Sequence, residues 1–176
     1  RVELLTAYQN DAYAQRYTAV VDEVRAAESK LGGKDTLAKA VAKGLYKLMA
    51  YKDEYEVARL YTDGAFARQV AAAFEGDLSF EFHLSPPVLG RRAAATGLPR
   101  KTNFGPWLMQ VFRLLAALKG LRGTTLDIFG YTQERRTERR LIEDYQRFLD
   151  EVATALTPDN HADAIAILSL PEKIRG

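Results

Sequence analysis

The 176-residue chain contains no cysteine, which removes disulfides, thiolate nucleophiles, cysteine-ligated zinc and ordinary iron–sulfur ligation from its chemistry. Only two histidines occur, His83 and His161, far apart and with no partner at ligand spacing. Each is read as a structural side chain, and no metal site is assigned. No apolar run approaches the roughly 20 residues of a membrane span, and nothing at the start resembles a signal peptide. A cytoplasmic protein without a membrane partner is expected. Charge of one sign is scarce too: 25 Lys and Arg against 23 Asp and Glu leave a formal +2, too little to imply a polyanionic partner.

Phosphate loops, dinucleotide fingerprints and nucleophile elbows are also missing. GRRAAATG and LKGLRG carry glycines without the spacing or the strand-to-helix context that cradles a phosphate. Asp53 with Glu54, and Glu143 with Asp144, are adjacent and point to different parts of a helix surface, unlike a shared-proton dyad. No catalytic residue is assigned.

What is present is a soluble globular composition, 47% hydrophobic and 27% charged, read as one domain over 1–176. The chain starts at Arg1 and stops at IRG without terminal logic, so a segment of a larger protein is expected. Tyr13, Tyr17, Val20, Val21, Val24 and Ala27 recur at helical spacing over about 11–30, with Asp22, Glu23, Arg25 and Glu28 mostly between them. The preceding RVELLTAY fits a short helix or an extended lead-in. LGGKD breaks the pattern, its glycines ending one helix and Asp35 set to cap the next.

A second helix is expected over about 36–61, with Val41, Leu45, Leu48, Tyr55 and Ala58 on one side. Tyr46, Met49, Val57 and Leu60 widen its apolar surface, which marks a central element. A shorter helix follows at about 65–75, then a strand at about 78–84, where Leu78, Phe80, Phe82 and Leu84 alternate with polar residues. Its partner is PPVLGRR, the stretch from Pro99 to Phe104 or, if the segment lacks that partner, another domain or copy.

Further helices are expected at about 105–119, 132–156 and 158–169. In the first, Trp107, Val111, Leu114, Leu115 and Leu118 are placed inward, and Phe104, Trp107 and Phe112 form a core cluster. Thr132 caps the second, with Leu141, Ile142, Tyr145, Leu149, Val152 and Leu156 inward; Thr157 and Pro158 start the third. The fold class is mainly α with a small β-strand or hairpin element (α+β), its antiparallel helices arranged around one core.

Two charged stretches stand out. In LMAYKDEYEVARLY, Lys52 with Glu56 and Glu56 with Arg59 lie at ion-pair spacing, which accounts for most of the charge. Asp53 and Glu54 beside Tyr51 and Tyr55 must be hydrogen-bonded wherever they are buried. The block from Arg91 to Arg140 holds eleven Lys and Arg against three acids. In ERRTERR, Glu134 and Glu138 interleave with arginines as on a solvated face. The residues singled out for interdomain or partner contact are Tyr51, Lys52, Asp53, Glu54, Arg59, Arg91, Arg92, Arg100, Lys101, Arg122, Arg135, Arg136, Arg139 and Arg140.

KLMAYKDEYEVARLYTD, FEFHLSPPVL, KTNFGPWLMQVFRLLAALKGLRGTTLDIFGYTQERRTERRLIEDY and LSLPEKIRG together resemble the C-terminal region of the large fused bacterial indolepyruvate ferredoxin oxidoreductases. The resemblance spans essentially the whole chain. It implies a thiamine-diphosphate enzyme that oxidatively decarboxylates aryl 2-oxo acids to the acyl-coenzyme A and passes electrons to ferredoxin. Thiamine diphosphate, magnesium and iron–sulfur clusters are then expected elsewhere in the parent or its complex, with none in this segment. The implied partners are the upstream catalytic domains, another protomer, ferredoxin or coenzyme A; nucleic acid is not expected. No catalytic residue carries over, and the isolated segment is expected to be inactive. The alternative, resting on the basic block alone, is a freestanding helical binding module for nucleic acid or an acidic protein.

Overall fold

The computed structural model describes residues 1–76, 79–84 and 102–173. Among them are eight α-helices and one two-stranded antiparallel sheet, the mainly helical α+β class expected from periodicity. No helix of the described residues is long and apolar enough to cross a membrane. Contacts divide the chain into two compact units: Arg1–Tyr51 with Thr132–Gly176, and Lys52–Tyr131.

The first unit opens with α1 (Val2–Tyr8), so RVELLTAY is helical. It continues into α2 (Asp11–Lys30), where the Asn10 side chain accepts the Tyr13 amide hydrogen bond. α2 buries Ala14, Tyr17, Val21, Val24 and Glu28. Glu28 thus lies on the buried stripe rather than between its apolar members. α3 (Thr36–Met49) follows and buries residues on more than one side, including Leu37, Val41, Leu45 and Met49. The expected continuous helix over 36–61 is corrected: α3 ends at Met49, and a new helix begins after Asp53.

The second unit starts at that break. Asp53 adopts an extended backbone, and its carboxylate accepts the Glu56 amide at 2.8 Å, which starts α4 (Glu54–Thr62). α5 (Ala65–Ala73) follows. β1 (Phe82–Leu84) pairs antiparallel with β2 (Thr102–Phe104), Phe82 opposite Phe104 and His83 opposite Asn103. The strand is therefore shorter than 78–84 among the described residues, and its partner is the segment ending at Phe104. The other expected partner, PPVLGRR, lies outside the described residues.

α6 (Leu108–Ala117) runs into a 3-10 turn at Leu118–Leu121. It packs on α4 around Ala58, Phe82, Leu108 and Phe112. The Tyr61 ring stacks on Phe112 at 5.3 Å and meets Phe82 edge-on at 5.5 Å. The expected inward face of α6 is corrected except at Leu115, which packs against this core as expected. Trp107, Leu114 and Leu118 are 59%, 60% and 38% exposed, and Val111 is exposed as well. α6 is apolar nearly all round, so periodicity offered two stripes and chose the wrong one; the core takes Leu108 and Phe112. Trp107 touches Phe104 edge-on but lies outside the core.

The chain returns to the first unit with α7 (Gln133–Thr154), whose cap is the expected Thr132, accepting the Arg135 amide at 3.3 Å. α7 buries Ile142, Tyr145 and Leu149, whereas Leu141 is exposed. α8 begins three residues later than expected, at His161 (His161–Leu168), and a 3-10 turn follows at Leu170–Lys173. Thr157 and Asn160 exchange side-chain and backbone hydrogen bonds, a local turn that displaces the first helical positions.

α3 is central in this unit, packed against α2, α7, α8 and the last 3-10 turn. Gly44 makes one approach possible: a Cβ there would lie 2.8 Å from the Tyr145 hydroxyl and 3.0 Å from the Leu168 carbonyl. Those two groups are themselves hydrogen-bonded at 2.7 Å. A mid-helix Gly→Ala change ordinarily stabilises by about 1 kcal/mol. Gly44→Ala is instead expected to destabilise by about 1–3 kcal/mol, the usual range for overpacking, as measured by urea denaturation.

Candidate functional site

The most densely connected polar group in the second unit surrounds Arg122. Arg122 and Asp53 are 4% and 3% exposed, and they form a two-pronged ion pair with N–O distances of 2.5 and 2.8 Å. Because Asp53 also caps α4, its carboxylate joins the helix start to the loop at residues 122–131. Asp127 organises that loop. One of its oxygens accepts from Tyr55 Oη (3.2 Å), Phe129 N (3.2 Å) and Gly130 N (3.0 Å). The other accepts from Gly123 N at 2.8 Å.

Tyr55 closes the arrangement. Its ring lies under the Arg122 guanidinium at 5.6 Å and meets Phe129 edge-on at 5.4 Å. Burial, together with the Asp127 charge and hydrogen bond, pushes its phenol up to about 12. It therefore stays protonated and donates to Asp127 throughout the neutral range. Every carboxylate oxygen in this network accepts at least one donor, so the arrangement fixes a loop instead of presenting a general base.

Beside it, Arg59 makes a two-pronged contact with Glu56, both distances 2.8 Å, and reaches Asp63 at 3.3 Å. Lys119 sits in the field of Arg59 and Arg122. Burial, reinforced by those two cations, lowers its amine below the usual lysine range, with Glu56 opposing. Lys52 lines a shallow groove of about 440 Å³ with Val57, Leu60, Tyr61 and Phe66. No nucleophile and base converge there.

The remaining singled-out residues fall elsewhere. Tyr51 belongs to the first unit, where its carbonyl accepts from Tyr8 Oη at 2.9 Å and its ring lies under Arg135 at 5.8 Å. Arg135 also pairs with Glu138 at 2.5 Å, the interleaved pattern read in ERRTERR. Arg136 and Arg140 are exposed, Arg139 is half-buried, and Glu54 is half-buried at the start of α4. Arg91, Arg92, Arg100 and Lys101 lie outside the described residues.

Two important carboxylates escaped the sequence reading. Asp127 is one; Glu28, 0% exposed, is the other. Glu28 accepts from Thr36 Oγ1, Leu37 N and Ala38 N, each at 3.0 Å, and lies 3.0 Å from His161 Nε2. It thereby does the capping expected of Asp35, whose backbone is left-handed (φ 59°) and whose side chain makes no cap bond. Burial opposes the Glu28 charge, but the amides of Ala38 and Leu37, with His161 and Thr36, outweigh it and hold the carboxyl at about 2. His83 meets Asn103 across the strands at 2.7 Å. Among the described residues, no three His, Asp or Glu side chains are placed to share a metal ion.

No curated protein and no solved structure matches this chain. A family model does match, over residues 1–176, and the chain accordingly belongs to the family of unknown function DUF6537.

Proposed function

We propose that this chain is a non-catalytic C-terminal accessory domain of a thiamine-diphosphate-dependent indolepyruvate (aryl 2-oxo acid) ferredoxin oxidoreductase, docked on the upstream catalytic domains through α6. The resemblance supplies the enzyme; one observation carries the docking role. Trp107, Val111, Leu114 and Leu118 form an exposed apolar stripe on a helix whose opposite side already fills a core. An exposed row of four large apolar side chains fits a docking site for another protein surface. Each large apolar side chain fully removed from water there contributes about 1.5–3 kcal/mol.

The polar chemistry of the chain fits a scaffold. Its buried carboxylates Glu28, Asp53 and Asp127 are all occupied by donors, and thiamine diphosphate, magnesium and iron–sulfur clusters belong upstream in this reading. The exposed Arg136 and Arg140 are available to an acidic ferredoxin or to the phosphates of coenzyme A. The compartment in this reading is the cytoplasm.

The test is indolepyruvate-dependent reduction of a viologen dye by the parent polypeptide, by the parent truncated before Arg1, and by the 176-residue chain. The parent is expected to turn over, the isolated chain to be inactive, and the truncated form to be impaired while its thiamine-binding body stays folded. A parent without 2-oxo acid oxidation, or an isolated chain with it, would overturn the proposal.

A further inference from the structure

α3 carries lysines at positions 39, 43 and 47, four residues apart, on the side opposite the fully buried Val41, Leu45 and Met49. All three lysines are exposed. Packing on that opposite side fixes the rotation of the helix, so the row stays presented to solvent. Like charges at this spacing weaken a helix. Among the described residues, the Lys39 and Lys43 side chains have no ion pair or hydrogen bond, while Lys47 donates to the Glu172 carbonyl at 3.2 Å.

The row is also shaped. Lys43 stands between two open grooves. One, of about 440 Å³, is lined by Arg1, Tyr46 and Lys47; the other, of about 410 Å³, by Arg1, Tyr17, Arg25 and Lys39. Arg1 lies over the Tyr46 ring at 5.8 Å and adds a fourth cation. Arg25 is matched by Asp22 at 2.5 Å, so the excess charge is confined to the ridge.

We infer that this lysine ridge docks an acidic polypeptide segment whose carboxylates repeat at the same interval. Along a helix, residues four apart place successive charges about 6 Å from one another, and eight residues span about 12 Å. Carboxylates at i, i+4 and i+8 of a partner helix match both dimensions. A compact phosphate needs groups that converge on one point, whereas these three spread along a line. A long phosphodiester strand would run on to Asp22 on one side and Glu172 on the other, which line the grooves. The surface lies in the first unit and does not depend on the role assigned to α6.

The test is fluorescence anisotropy with two labelled helical peptides of about 16 residues at about 50 mM salt, where surface charges are weakly screened. One carries glutamates at i, i+4 and i+8 on a single face; its isomer has the same composition with the glutamates distributed around the helix. The single-face peptide is expected to bind the 176-residue chain about tenfold more tightly, the scale of three exposed ion pairs. Lys39→Ala/Lys43→Ala/Lys47→Ala should remove that advantage without lowering the thermal midpoint, since alanine favours helix and the repulsion is gone. Lys43→Gln alone should weaken it partially, and the control Arg136→Ala/Arg140→Ala/Arg147→Ala should leave it intact. Equal binding of the two peptides, an unaffected triple-lysine variant, or tighter binding of mixed-sequence DNA or tripolyphosphate through the same lysines would overturn the inference.

Discussion

Arg122→Ala is expected to destabilise the second unit by about 3–5 kcal/mol, because it strands the Asp53 carboxylate in a site from which water is excluded. The pair is almost fully buried, and the same carboxylate starts α4. Lysine at this position should rescue only part of the loss, since an ammonium cannot reproduce the two-pronged contact with Asp53. Asp53→Asn keeps a good cap and removes the charge, so Asp53→Asn combined with Arg122→Met should be less damaging than the sum of the singles. The measurement is urea denaturation followed by Trp107, the only tryptophan in the chain, alongside far-UV circular dichroism. Independence of the two substitutions would show that the pair contributes nothing as a pair.

Glu28 carries the second large effect. Removing it in Glu28→Ala strips acceptors from two amides at the start of α3, from Thr36 and from His161, and should cost about 3–5 kcal/mol in the first unit. Glu28→Gln keeps the shape but turns an amino group toward a backbone donor, and should cost about 2 kcal/mol. The carboxyl titrates at about 2 in the folded chain against 4.5 for an ordinary glutamate. A lowered folded value means that the unfolded chain takes up the proton first. The contribution, about 3 kcal/mol, is therefore complete above about pH 5 and is lost as the pH falls toward 2. Unfolding free energies measured from pH 6 down to pH 2 should converge for the parent chain and Glu28→Gln. A constant difference over that range would contradict the account.

Periodicity was enough to locate most helices. The stripe of α2 and the cap at Thr132 follow directly from spacing and from one hydroxyl, and both appear where expected. Where the reading failed, two physical signals competed. In Asp53-Glu54-Tyr55-Glu56 an acidic cap signal sits inside an apolar periodic run that continues on both sides of it. The cap prevails because Asp53 satisfies the Glu56 amide and Arg122 together, a tertiary gain that local spacing cannot reveal.

Charge alone places Glu28 between the apolar members of α2, although Val21, Val24 and Glu28 continue one helical stripe. α6 offered two apolar stripes of equal quality, and only packing against Ala58 and Phe82 decides between them. The exposed stripe left by that choice is the most informative part of the surface, and no hydrophobic pattern could distinguish it from core. Asp127 has a local cue, a lone acid between Thr125 and Gly130 in a loop, as expected of a residue that collects backbone amides.

The docking role of α6 is tested most directly by hydroxyl-radical oxidation of Trp107, read by mass spectrometry in the isolated 176-residue chain and in the parent polypeptide. In the isolated chain the indole is 59% exposed and should be oxidised readily. In the parent the account predicts suppression of several-fold or more, as the stripe is covered, and Trp107→Ser/Leu114→Ser should slow indolepyruvate oxidation there without lowering the stability of the isolated chain. Equal oxidation of Trp107 in both settings would contradict it.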